Sequence, residues 1–195
     1  MKSIGTLGIV AAILAVLLIA GCGSYNGFVE AEEDMEQSWS NVQTQYQRRA
    51  DLIPNLVNTV KGAAEFESGT LERVTAARAR ATSINIDAND LTPEKLQQFQ
   101  AAQGELSQGL GRLLVTAERY PQLQSNANFR DLQVQLEGTE NRIAVARDRF
   151  NEQATQFNKK VRRFPGTVFA TVFGFDEKPQ FQADATSQTA PTVEF

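Results

Sequence analysis

The sequence predicts an all-α protein, an antiparallel up-and-down four-helix bundle with long helices, preceded by an N-terminal hydrophobic signal or anchor segment. Three observations carry the prediction. Apolar residues recur every seven positions in long rows, the period of a helix packed against other helices. Turn-forming residues gather in short connections between the rows. No run alternates with period two over a strand's length, except the short segment after Gly166. The chain has 195 residues, 42% of them hydrophobic, enough for one domain with a real core.

The first element is the apolar run "IGTLGIVAAILAVLLIAGC", preceded by Lys2 and followed by "GSYNGFVEAEED". It reads as a targeting segment. Ile19-Ala20-Gly21-Cys22 has the form of a bacterial lipobox, in which small residues admit the signal peptidase and the thiol of Cys22 takes up diacylglycerol. The competing reading is an uncleaved membrane anchor, because Ile4 to Ala20 is at the lower edge of what crosses ~30 Å of hydrocarbon. Both orient the chain the same way. No Lys or Arg occurs from residue 3 to residue 47, so the positively charged N-terminus stays inside and the body lies outside the cytoplasm. Gly23 offers no acidic retention signal, which leaves outer-membrane delivery open in a two-membrane bacterium. The expected division is 1–22 signal peptide or anchor, 23–175 helical bundle and 176–195 flexible, polar C-terminal tail.

The first bundle helix carries Phe28, Met35, Val42, Arg49, Leu56 and Ala63, with a companion row of Trp39, Tyr46, Ile53 and Val60. Arg49 is the one charged member, and Pro54 follows it closely, so "QYQRRADLIPNLV" is either a corner or a kinked helix. "ESGT" at 67 to 70 predicts a break, and a short helix from Leu71 to Ser83 shows Leu71, Val74, Ala77 and Ala81 on one face. Residues 84 to 90 read as a loop. Thr92 as cap and Pro93 in first position open a third helix, with Leu96, Phe99, Gln103, Leu106, Leu110, Leu113, Ala117 and Tyr120 as its stripe. Asn128 with Asp131 resembles a capping arrangement for the fourth. That helix carries Phe129, Leu136, Ile143, Phe150, Phe157 and Phe164, and "RFPG" ends it.

Function classes are narrowed by what is absent. The net charge is −4 with acids and bases interspersed, so no basic face is offered and nucleic acid is not an expected partner. There is no histidine and only one cysteine, which removes His-based triads, zinc chemistry and an intramolecular disulfide. No phosphate loop, nucleophile elbow or calcium loop occurs, and no metal, cofactor or catalytic residue is expected. Glu137 and Glu140 are the carboxylate pair nearest to acid/base work, but this spacing on a long helix describes a solvated face.

The strings "QYQRRADLIPNLVNTVKG", "LERVTAARA", "ERYPQL", "NANFRDLQVQLEGTENRIAVAR" and "RFPG", with Trp39 and Phe150-Asn151, together resemble the LemA family over nearly all of residues 25 to 175. Ser38 and "FESGT" depart mildly from its pattern. The resemblance implies a membrane-tethered bacterial four-helix bundle with no agreed biochemical activity. The expected function is that of a tethered interaction or scaffold module at the bacterial envelope, with membrane lipid as one partner through the anchor and an envelope protein as another. The alternatives are a lipid-contacting, membrane-shaping protein and a carboxylate-only hydrolase.

Two local expectations follow from the antiparallel arrangement. Pairing Phe28 with Phe164 puts Arg49 level with Ile143, within a turn of Glu140, and Pro54 opposite Gly138. Arg49, Pro54, Gly138, Glu140, Asn141 and Arg142 then form one buried polar layer, in which Asn141 and Arg142 supply donors to the carbonyl that Pro54 frees and Gly138 admits the bent backbone. Arg48, one step off the stripe, is the candidate contact for an anionic partner. The same geometry brings "GTVFATVFGF" to the membrane side, where it either plugs the end of the core or rests Phe169, Phe173 and Phe175 against the bilayer.

Overall fold

The computed structural model describes residues 2–62 and 68–182; most of these are helical, with no strand among them. Helix α1, Lys2–Lys61, runs unbroken for 60 residues and so joins the apolar N-terminal run to the first bundle helix. Its residues from Leu7 to Ala20 are exposed. From Phe28 onward both seven-step rows are buried, Arg49 included. Ala63 lies outside the described residues. Pro54 stands inside α1, so the stretch around it is helix and not a corner.

Helix α2, Ser68–Ser83, starts three residues ahead of Leu71. Ser68, Gly69 and Thr70 occupy its first turn, where their weak helix preference costs least, and Thr70 joins the buried face. A 3-10 turn at Ala88–Asp90 follows Ile86, which is buried and whose carbonyl accepts the Trp39 indole N–H at 3.0 Å. Helix α3, Pro93–Ala117, is capped by Thr92, with Pro93 in the first turn. A short α4, Pro121–Gln124, lies in the connection to α5, Ala127–Arg162. The cap of α5 is Asn126, whose side chain accepts from the Phe129 N–H; Asn128 is already inside the helix.

Helices α1 and α5 run antiparallel, as Lys160 Nζ on the Gly27 carbonyl (3.0 Å) and Arg49 on Glu140 (2.8 Å) require. Helices α2 and α3 also pair in opposite directions, with Val74 against Gly109 and Arg80 on Glu105. The core is stacked in three groups along the axis. Leu56, Val60, Val74 and Leu106 fill the far end. Trp39, Tyr46, Phe99 and Phe150 fill the middle. Phe28, Phe157, Val161 and Ala170 fill the end nearest the N-terminal run.

Three expectations are corrected here. Phe164 is not a core residue: it lies two residues past the last residue of α5 and is 83% exposed. Val161 continues the face from Phe157, and Phe28 meets Phe175 instead, ring centroids 5.1 Å apart. The segment after "RFPG" is not strand-like. It forms α6, Gly166–Phe173, ended by Gly174 in the left-handed region (φ 79°), the usual glycine stop. Gly166 is where α6 crosses α5, since a Cβ there would stand 2.5 Å from the Lys160 carbonyl oxygen.

The tail is the third correction, because residues 176–182 are strapped along the helices. Asn151 donates to the Phe181 carbonyl (3.0 Å) and accepts the Phe181 N–H (2.8 Å). Asn158 does the same with Lys178 (2.9 and 2.8 Å). Two asparagines seven residues apart thus satisfy an extended backbone that no strand partners. Phe181 is buried against Trp39 and Phe150. Residues 183–195 lie outside the described residues.

Candidate functional site

Arg49 is 1% exposed and its guanidinium is shared among three helices. Nη1 donates to Glu140 Oε1 at 2.8 Å and to Ser107 Oγ at 2.7 Å. Nη2 donates to the side-chain and main-chain oxygens of Gln103. Gln103 in turn donates from Nε2 to the Ala81 carbonyl at 3.2 Å. One hydrogen-bonded chain therefore crosses α5, α1, α3 and α2. Tyr46 lies against the same cation, its ring centroid 5.0 Å from Arg49 Cζ, and burial pushes its hydroxyl pKa above the ordinary value. Within the layer Arg49 Nε is buried without a partner. Glu140, by contrast, is 45% exposed at its side chain, so the layer opens to solvent on the α5 side.

Proline at position 54 has no N–H to offer the carbonyl four residues earlier. That carbonyl, of Ala50, accepts instead from Arg78 Nε at 2.7 Å. The outside donor comes from α2, not from Asn141 or Arg142. The reason lies in which helices flank Pro54: the core around Ile53 and Leu56 is shared with Val74, Ala77 and Ala81, so α2 is the neighbour with a cation in reach. Asn141 and Arg142 are exposed, and Arg142 donates to Thr139 Oγ1 at 2.8 Å. Gly138 does not admit α1, because a Cβ there would meet only the Arg142 guanidinium at 3.5 Å. Gly138, Asn141 and Arg142 instead line an open groove of about 960 Å³ beside α1, with Asp34, Asn41 and Gln45 on the opposite wall.

Arg48 is exposed on the other flank of α1, near Thr44 and Asp51. Glu137 and Glu140 are both exposed, with Glu137 accepting from Gln133 at 3.1 Å. The half-buried carboxylate of Glu36 is raised above its ordinary pKa by burial and, next, by the charge of Glu32. Glu32 is paired with Lys178 at 2.7 Å. Among the described residues no group of three or more metal-ligating side chains is placed to hold a metal ion.

A buried Arg shortly ahead of a proline within one helix, answered by "EGTEN" on an antiparallel helix that ends at "RFPG", joins the strings singled out in the sequence. The sequence profile of the LemA family matches residues 38–195. The chain belongs to the LemA family. It is 23% identical to Protein LemA of Metamycoplasma hominis over 73% of this chain and 61% of that protein. It is 27% identical to Magnetosome protein MamQ 1 of Paramagnetospirillum magneticum and 26% identical to Magnetosome protein MamQ of Magnetospirillum gryphiswaldense. These matches cover 95% and 97% of this chain, and 73% and 74% of the relatives.

In this LemA-family chain the end nearest the N-terminal run is assembled from α1, α5 and α6. Phe169 lies on Gly21, where a Cβ would stand 3.2 Å from Cε1 of the ring. Tyr25 meets Phe173 and Phe175 edge-on at 5.2 and 5.8 Å. Phe175 also packs against Phe157, and Ala170 is buried with Phe28 and Val161. Helix α6 thus closes this end of the core. Cys22, one residue past Gly21, is free and exposed. The apolar part of α1 is long enough to cross a membrane by length and composition.

Sequence reasoning missed Gln103, Ser107 and Arg78 as members of the polar layer. Gln103 was legible as the polar residue in an otherwise apolar stripe. Ser107 follows it one turn later on the same face. Nothing local marks Arg78, which is one of several arginines on α2.

Proposed function

We propose that this protein is a membrane-tethered helical scaffold or interaction module of the bacterial envelope, without enzymatic activity of its own. Its four long helices are read as an up-and-down bundle standing outside the cytoplasm. The observation that carries this reading is the continuity of α1. One helix is apolar and exposed over Leu7 to Ala20 and becomes the most buried helix of the body from Phe28 onward, so the body is held rigidly to whatever surrounds its first turns. The missing positive charge between residues 3 and 47 supports the outward orientation. The resident lipid is either the bilayer around α1 or a diacylglyceryl group on Cys22. An envelope protein is the proposed second partner, and no nucleic acid.

The experiment is proteolysis of intact and lysed spheroplasts from a bacterial host expressing the full chain. Digestion of the body from outside supports the reading, whereas protection until lysis overturns the orientation. Mass spectrometry of the purified protein separates the anchors: a chain beginning at lipid-modified Cys22, lost in Cys22→Ser, supports the lipoprotein, and an intact N-terminus supports the spanning helix. A photo-crosslinking residue at Asn41 or Arg149, both in the groove between α1 and α5, reports on a protein partner in the same cells.

A further inference from the structure

We infer that α6 and the preceding Phe164 form a second membrane-contacting surface, seated in the lipid headgroup layer beside the anchor. The inference rests on the anchored reading of α1 and adds a site to it. After Ala170 and Phe169 have packed inward, an apolar face of α6 is left open. Phe164 is 83%, Val172 72%, Val168 52% and Phe173 41% exposed. The hydroxyl of Thr171 on this open side donates to the Thr167 carbonyl at 3.0 Å, so the face presents little unsatisfied polarity.

What covers the face is argued from its position. Phe169 touches Gly21, the first residue after the apolar run, so the surface is continuous with the exposed Leu17, Leu18 and Ile19 of α1. Ile4 to Ala20 rises only ~25 Å at 1.5 Å per residue, against ~30 Å of hydrocarbon. An apolar stretch at this lower limit is accommodated by local thinning of the bilayer or by flanking residues that meet its surface, and the structure flanking it is α6. If Cys22 carries lipid instead, the same residues meet the surface, because Cys22 adjoins Gly21.

Charge agrees with the position. The last turn of α5 carries Lys159, Lys160 and Arg162, followed by Arg163, all exposed. Lys160 bonds the Gly27 carbonyl, which lies about 9 Å up the helix axis from Gly21, at the outer edge of a headgroup layer about 5–8 Å deep. The acids on this side are Asp176 and Glu177, the latter 3.5 Å from Arg162, and, farther from Gly21 along α1, Glu30, Glu32, Glu33 and Asp34, of which Glu32 is paired with Lys178. Cations over an apolar, aromatic-bearing face match a phospholipid surface, whose phosphates lie outside its acyl chains.

The test uses tryptophan as a depth reporter in the full chain, synthesised from purified translation components into vesicles of phosphatidylcholine and phosphatidylglycerol (3:1) with acyl chains brominated near the headgroup. Native Trp39 is buried in the body and supplies the background. Val172→Trp and, as a second position, Phe173→Trp are expected to lose at least twofold more emission than the unaltered chain. Val134→Trp, exposed near the opposite end of α5, is expected to match the background. Leu14→Trp reports on the anchor. Quenching at Leu14 with none at Val172 or Phe173 overturns this inference and leaves the anchored reading intact, whereas no quenching at any of the three positions overturns the spanning-helix anchor and this inference with it.

Discussion

The Nε of Arg78 lies 2.7 Å from the carbonyl of Ala50, the acceptor that Pro54 leaves without an intrahelical donor. Helix α1 therefore passes through a proline because a neighbouring helix completes its hydrogen bonding. Removing the donor with Arg78→Ala is expected to cost about 1–3 kcal/mol, the penalty for a buried acceptor left unmade. Pro54→Ala restores an N–H, so the same Arg78→Ala change in that background should cost about 1 kcal/mol less. Urea denaturation of the four proteins measures the coupling, and strict additivity would show that Arg78 does not serve the freed carbonyl.

Glu140 is the carboxylate that neutralises Arg49. Its side chain is half-exposed, so Glu140→Ala is expected to cost about 2 kcal/mol, between the values for exposed and buried pairs. Glu140→Gln keeps an acceptor for Nη1 and should recover part of that loss. Equal stability of all three proteins in chemical denaturation would mean that Gln103 and Ser107 suffice.

The glycines separate into those that space permits and those that space demands. At Gly166 a Cβ collides with the Lys160 main chain, while at Gly104, inside α3, it meets nothing within 4 Å. Gly166→Ala should destabilise by about 1–3 kcal/mol through overpacking. Gly104→Ala should stabilise by roughly 0.5–1 kcal/mol through helix propensity. Thermal unfolding distinguishes the signs, and a loss at Gly104 would count against this account.

Residues 176–182 hold on through Asn151, Asn158 and the Phe181 ring. Asn151→Ala is expected to raise the hydrogen-exchange rate of the Phe181 amide with little change at Lys178. Phe181→Ala should free the whole strap and cost about 2–4 kcal/mol, a discounted aromatic truncation because the site can partly collapse. Unchanged exchange at Phe181 in both variants would contradict the strap.

Glu36 is raised by burial and by Glu32, opposed by Lys178, with Asp87 and Glu33 adding smaller like-charge repulsion. Because its folded pKa lies above the unfolded one, its protonated form favours the fold. That contribution is fully present below the unfolded pKa and is lost as pH rises through the folded value. Glu36→Gln should therefore be more stable than the parent at neutral pH, with the difference vanishing toward acid. Stability curves of the two proteins against pH check the sign, and a parent that is more stable at neutral pH would reverse it.

What the sequence determined by itself is what depends on periodicity. Rows such as Met35, Val42, Leu56 and Leu136, Phe150, Phe157 identify their helices and buried faces, because a seven-step spacing has one inward side whatever it packs against. Opposite runs of two such rows also brought Arg49 within reach of Glu140, since helical rise converts residue number into height. Which neighbour stands at a given height was decided only by the tertiary structure. Arg78 rather than Asn141 completes the proline gap, and Gln103 and Ser107 share the guanidinium, because azimuth about a bundle axis is not written in any single helix. The ends were equally illegible. Phe164 kept the period but left the helix, the strand-like "TVFATVF" folded as α6, and Phe181 in a polar stretch found the gap beside Trp39. In each case a short segment has too few residues for its own periodicity to outweigh the shape of the surface it meets.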